Sequence, residues 1–297
     1  MPKKISDVAV EKAPSLSSRI SLFRSKLQIS HYAPGSTTDY CHALYKAVAF
    51  IGKLPEDFTQ EDADGYFASM LSRKPVPAEA QFKHFVYGLK CYRKSMGCSE
   101  LQGLALPKIR REKKLPRILS AEQVMRLLRV CDLYSKTLLG VIYDCGLRAF
   151  EACNLKWTDI NADRRQVHIK KGKGSKDRIV PISSSTLKVL EAYRTQYPSH
   201  DFVFKTFGKD AQITQGFIRF RLKEMLRKAG LDTSCTTHSL RHSYATHLLD
   251  AGEDIQTVQQ RLGHKSVSTT MIYLHLAKVE KQQGICLIDH NIGYAAH

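Results

Sequence analysis

A chain of 297 residues with 46 Lys and Arg against 28 Asp and Glu carries a formal net charge of +18, and 43% of it is hydrophobic. That length can bury a sizeable core and form two domains, and that charge calls for a polyanion as partner. No stretch stays apolar over the roughly 18 residues a membrane-spanning helix needs. Eight scattered cysteines without a Cys-x-x-Cys pair argue against a zinc finger and for a reducing cytoplasm, and no apolar run follows Met1-Pro-Lys-Lys4 to make a signal peptide.

Residues 1–13 read as a flexible tail and residues 14–105 as a bundle of four helices. Ile20, Phe23 and Leu27 begin the first. Tyr40, Leu44, Val48 and Ile51 form a stripe behind the cap candidates Ser36 and Thr37, and Thr59-Gln-Glu-Asp62 opens a helix carrying Tyr66, Phe67, Met70 and Leu71. Phe82, Phe85, Val86 and Leu89 follow at i, i+3, i+4 and i+7, so the aromatic stripes are core. Residues 106–118 break the pattern: Lys108, Arg110, Arg111, Lys113 and Lys114 lie between Pro107 and Pro116, which bias the chain toward extended geometry. This basic linker suits a phosphate backbone, though a solvated connector has the same composition.

From residue 119 to 281 a second domain is expected, mainly α-helical with a small β-sheet. Ser120-Ala-Glu-Gln123 is a capping box ahead of Val124, Leu127, Leu128 and Cys131. An apolar helix from Leu138 to Cys145 stops at Gly146. Val167-His-Ile169 and Arg178-Ile-Val-Pro-Ile182 alternate as strands about a turn containing Gly172, Lys173, Gly174 and Lys176. Residues 214–281 return to helical spacing, with Ile255, Val258 and Leu262 closed by Gly263.

The chemistry-bearing residues lie in this domain. Gly146-Leu-Arg148 and Glu151, His238-Ser-Leu-Arg241-His242, Leu262-Gly-His264 and Met271-Ile-Tyr273 occur in that order, with Arg148 to Arg241 spanning 93 residues, Arg241 to His264 23, and His264 to Tyr273 9. Breaking a phosphodiester without a metal needs fixed cations for its oxygens, a nucleophile and an acid for the leaving oxygen, and a guanidinium fork matches two phosphate oxygens. Glu151, three residues beyond Arg148, can orient it. Arg241 in apolar company calls for an anion. His238 and His242 at i, i+4 also suit zinc, but Arg241 beside them and the absence of an intervening glutamate disfavour a metal. Lys173 sits where flanking glycines let backbone approach DNA, with Lys176 as the rival lysine, and Arg178 adds a further cation for DNA. A new helix starting at Ser268-Thr-Thr270 puts Tyr273 on its first turns.

In these motifs the chain resembles the tyrosine recombinase (phage integrase) family, and the resemblance covers nearly its whole length. It implies an amino-terminal core-binding domain followed by a catalytic domain, in which Arg148, His238, Arg241 and His264 bind and activate the scissile phosphate. Lys173 would protonate the departing 5′ oxygen, Tyr273 would form a 3′-phosphotyrosine link, His238 is the candidate for the tyrosine proton, and His242 supports the site. No metal or nucleotide cofactor is implied. The expected partner is double-stranded DNA with paired recombination sites, bound by a homotetramer that is a monomer or weak dimer when free, in a prokaryotic cytoplasm at the nucleoid. Residues 282–297, with the apolar plug Gly284-Ile-Cys-Leu-Ile288, would be a tail exchanged between protomers. Phe150 and Cys153 fill positions that are often smaller or aliphatic in the family, a departure that bears on local packing and not on the mechanism. The Met-Ile-Tyr segment is similar to integron-type and transposon-borne members, although no long insertion precedes His238. Two other readings stay open: a type IB topoisomerase-like relaxing enzyme and a noncatalytic DNA-binding accessory factor.

Overall fold

In a computed structural model the described residues are 3–107, 116–170, 177–206, 211–264, 266–274 and 276–277, and the chain divides at residue 113 into two compact units. The first is built of α1 (Ile5–Lys12), α2 (Leu16–Ile29), α3 (Pro34–Ile51), α4 (Gln60–Leu71) and α5 (Glu79–Met96). Phe23, Leu44, Phe82, Phe85, Leu89 and Tyr92 fill its core. Residues 1–13 are not a loose tail over their described part, because α1 packs on α3 with Ala9 fully buried. Nor do Ser36 and Thr37 cap α3: the N-cap position is Ala33, with no side-chain hydrogen bond, since Pro34 at the first helical position loses no hydrogen bond there and starts the helix earlier. Thr59 and Asp62 form the capping box that opens α4.

The second unit begins with α6 (Ala121–Arg129), whose capping box joins Ser120 and Gln123. The apolar helix α7 (Leu133–Asp144) starts five residues before the expected Leu138, because the Asp132 side chain accepts from Ser135 N–H and caps it. Then come α8 (Ala149–Asn154), the antiparallel sheet of β1 (Ile160–Asn161), β2 (Gln166–Ile169) and β3 (Arg178–Pro181), and α9 (Ser184–Gln196). The pairing Val167 with Val180 sets the register and turns both into the core. β1, two residues long, was too short to show an alternation. The unit ends with α10 (Gln215–Lys228), α11 (Thr237–Asp250), α12 (Ile255–Leu262) and α13 (Val267–Met271). Tyr273 is therefore beyond α13, not on its first turns: Ser266 caps a helix of five residues, and Tyr273 N–H donates to Thr270 O across the turn that follows. Among the described residues no helix is long and apolar enough to cross a membrane.

Candidate active site

Gly146 makes the first corner of the site. Its φ of +57° is a left-handed conformation that costs a side chain energy, and a Cβ there would lie 2.5 Å from the Tyr244 ring. The corner aims the next residues inward. Arg148 is the N-cap of α8, with its backbone N–H on Glu151 Oε2 and its guanidinium on Oε1, both at 2.8 Å. Gly263 makes the second corner: at φ +62° it closes α12, and His264 follows it. The two corners meet at Arg241. This α11 residue, 3% exposed, donates to Gly146 O and Leu262 O and lies 3.9 Å from Glu151. Helix α11 thus holds both turns through one side chain.

Arg178 does not belong with the DNA-contacting cations where the sequence placed it. Its guanidinium is buried, donates to both Glu151 oxygens at 2.9 and 2.8 Å, and uses Nε on Arg261 O at 2.8 Å. The signal was present, since strand alternation puts Arg178 on the same face as buried Val180, while Ile179 between them is 60% exposed. Three guanidiniums therefore surround one carboxylate. Burial pushes the Glu151 carboxyl up, but hydrogen bonds and charge from Arg178, then the Arg148 N–H and Arg241, outweigh it and hold the group at about 2. Burial and the like charge of Arg148 press against the charge on Arg241, with Glu151 opposing them. The cluster is left with an excess of two positive charges.

Tyr273, 2% exposed, packs with Tyr244, Ala245, Val258 and Leu262. Its ring stacks on His264 at 6.3 Å, and its hydroxyl is 2.8 Å from His242 Nδ1. Sequence reasoning gave the tyrosine proton to His238 and a supporting role to His242, yet it is His242 that meets the phenol, and His238 is exposed. The choice depends on the distance of the Tyr273 turn from each end of α11, which spacing along one helix does not contain. His264 Nδ1 is 3.0 Å from the hydroxyl of buried Thr270, a partner the sequence reading also missed. Burial first, with His238 and Arg241 adding to it at His242 and Arg241 and Arg148 at His264, lowers both imidazoles to about 4. Burial raises the Tyr273 phenol, while Arg241 and Arg148 pull it down. The site thus joins Arg148, Glu151, Arg178, Arg241, His242, His264 and Tyr273. Among the described residues no group of three potential metal ligands converges. Lys173 and Lys176, the linker cations Lys108, Arg110, Arg111, Lys113 and Lys114, and residues 282–297 lie outside the described residues.

An arginine platform beside a buried tyrosine, on a mostly helical domain with a three-stranded sheet, is an arrangement suited to holding an anionic phosphodiester. The family model described as Phage integrase family matches residues 117–280, and the chain belongs to that family as a tyrosine-type site-specific recombinase. Tyrosine recombinase XerA of Pyrococcus horikoshii is 37% identical over 232 residues, 76% of this chain and 79% of its own. A tyrosine recombinase of Thermosipho africanus is 31% identical, over 85% of this chain and 93% of its own. Among solved structures, that of XerA recombinase superposes with a TM-score of 0.53 at 26% identity, covering 92% of this chain and 98% of that one. A lambda integrase dimer bound to a COC′ core site shares the fold, with a TM-score of 0.67 at 16% identity over 86% and 94%.

Proposed function

We propose that this recombinase cleaves and rejoins DNA through Tyr273, which attacks a phosphodiester held by Arg148, Arg241 and His264 and becomes linked to the 3′ phosphate. The observation that carries the reading is the packing of Tyr273 against His242 and His264, beside the Glu151 cluster that gathers Arg148 and Arg241, with Arg148 and Tyr273 lying 125 residues apart in the chain. The excess positive charge suits a phosphorane transition state, whose charge is more negative than that of the diester it comes from, so the cluster favours the transition state over the ground state. Lys173 is the acid for the departing 5′ oxygen, and the bond energy kept in the tyrosyl linkage permits rejoining without a nucleotide. Double-stranded DNA is the partner, in keeping with the DNA-bound recombinases that share the fold. Four protomers act on two sites through a Holliday junction, residues 282–297 docking on a neighbour and the basic linker following the backbone.

The test is a pool of nicked duplexes of randomised sequence, from which DNA linked to protein is recovered under denaturing conditions. The parent should yield adduct, and Tyr273→Phe should bind the recovered duplex as well as the parent while yielding none. Adduct from the phenylalanine variant would assign the nucleophile to another tyrosine, Tyr244 first. A plasmid carrying two copies of the recovered site should give recombinants in EDTA; relaxed circles alone would make the protein a relaxing enzyme.

A further inference from the structure

A phenol that attacks phosphorus has to lose its proton, and an ordinary tyrosine, with a pKa near 10, holds that proton at neutral pH. His238 is exposed and its ring centre stands 6.4 Å from that of His242. His242 Nδ1 is 2.8 Å from the phenol oxygen, and the rings of His242 and Tyr273 are 5.5 Å apart. We infer that His242 is the base that accepts the Tyr273 proton, a further catalytic residue of this chain that rests on the reading of Tyr273 as nucleophile.

Among the described residues, the titratable groups that act on His242 are His238 and Arg241 on its own helix and Tyr273 and His264 from the segment after α12. None is an anion. In the free protein burial first, with His238 and Arg241 adding to it, keeps the imidazole neutral, and in its Nε2–H tautomer Nδ1 has the lone pair that accepts the phenol's hydrogen bond. A phosphodiester seated on Arg148 and Arg241 brings the missing negative charge, which offsets the arginines and makes the imidazole a stronger base when DNA is present. In the step itself Tyr273 Oη bonds to phosphorus and the bond from phosphorus to the 5′ oxygen breaks. The phenol proton passes to His242 Nδ1, and the 5′ oxygen leaves with the proton of the acid assigned above to Lys173. Rejoining runs the same transfers backwards, His242 returning the proton to the phenolate.

The experiment uses the full chain and the nicked duplex recovered by the parent. His242→Asn keeps a hydrogen-bonding atom near Nδ1 but cannot take a proton. It should bind the duplex like the parent and form adduct about 100-fold more slowly, within the range of general base catalysis. His242→Ala should be as slow. Replacing Tyr273 by a ring-fluorinated tyrosine that ionises near neutral pH removes the need for a base, so the loss caused by His242→Asn should shrink to less than about tenfold. Cleavage by His242→Asn at the parental rate would overturn the assignment, as would a full loss that persists with the fluorinated phenol. Rescue of His238→Asn alone by fluorination would overturn it in favour of His238. Tyr273→Phe separates the two readings: adduct from that variant removes the nucleophile itself, whereas an adduct-free phenylalanine variant beside a fast His242→Asn removes only the base.

Discussion

Glu151 is a single carboxylate shared by Arg148, Arg178 and Arg241, and it is 4% exposed. Because the folded protein holds it at about 2, below its ordinary 4.5, its charge contributes stability that is present above about pH 5 and lost as pH falls toward 2. The displacement corresponds to about 3 kcal/mol. Glu151→Gln should therefore unfold in urea with a free energy roughly 3 kcal/mol below the parent at pH 7, and the two should approach each other near pH 2. A constant gap across that range would show that the loss in Glu151→Gln does not depend on the ionisation of Glu151. Arg178→Lys should not preserve the parental stability, since an ammonium cannot make the paired contact with both carboxylate oxygens that the guanidinium fork makes.

At the level of the elements, corners matter more than helices. Gly146 ends the α7 segment, carries the carbonyl that receives Arg241, and lies under the Tyr244 ring of α11. Gly146→Ala should cost about 3 kcal/mol, combining the left-handed penalty with overpacking, and it should slow adduct formation because α11 carries Arg241 and His242. Chemical denaturation and the nicked-duplex assay measure the two effects, and a fully active, equally stable alanine variant would remove the corner from the site. The element boundaries that sequence located best were those with side-chain caps, Thr59 with Asp62 and Ser120 with Gln123, where the cap is a local bond between residues three apart. It misplaced the start of α3, where Pro34 takes over. Tyr273 was set on a helix that had already ended.

For the molecule as a whole, the net charge of +18 sets the response to salt. A protein that covers six or more phosphates releases their counterions, so affinity for duplex DNA should fall by about a thousandfold or more between 50 and 200 mM salt, with a log–log slope of about −5 or steeper. A slope near zero in a filter-binding or anisotropy titration would remove DNA-backbone contact from the role of that charge. Tyr273→Phe should show the same slope as the parent, since the phenol oxygen contributes no charge to binding.

The sequence by itself determined the family, the mainly helical class with its small sheet, and the order Arg148, Arg241, His264, Tyr273, because apolar periodicity, caps and short motifs are local and survive in one dimension. Only the tertiary structure decided which of those residues touch. Arg178 looked like a surface cation until strand β3 turned it onto Glu151, 27 residues away. His238 and His242 are equivalent in spacing along α11, and the turn after α13 chooses His242 by bringing the Tyr273 hydroxyl to its Nδ1. The physical reason is the same in both cases: a buried charge or hydroxyl requires a partner, and that partner is supplied by whichever distant segment the packing delivers.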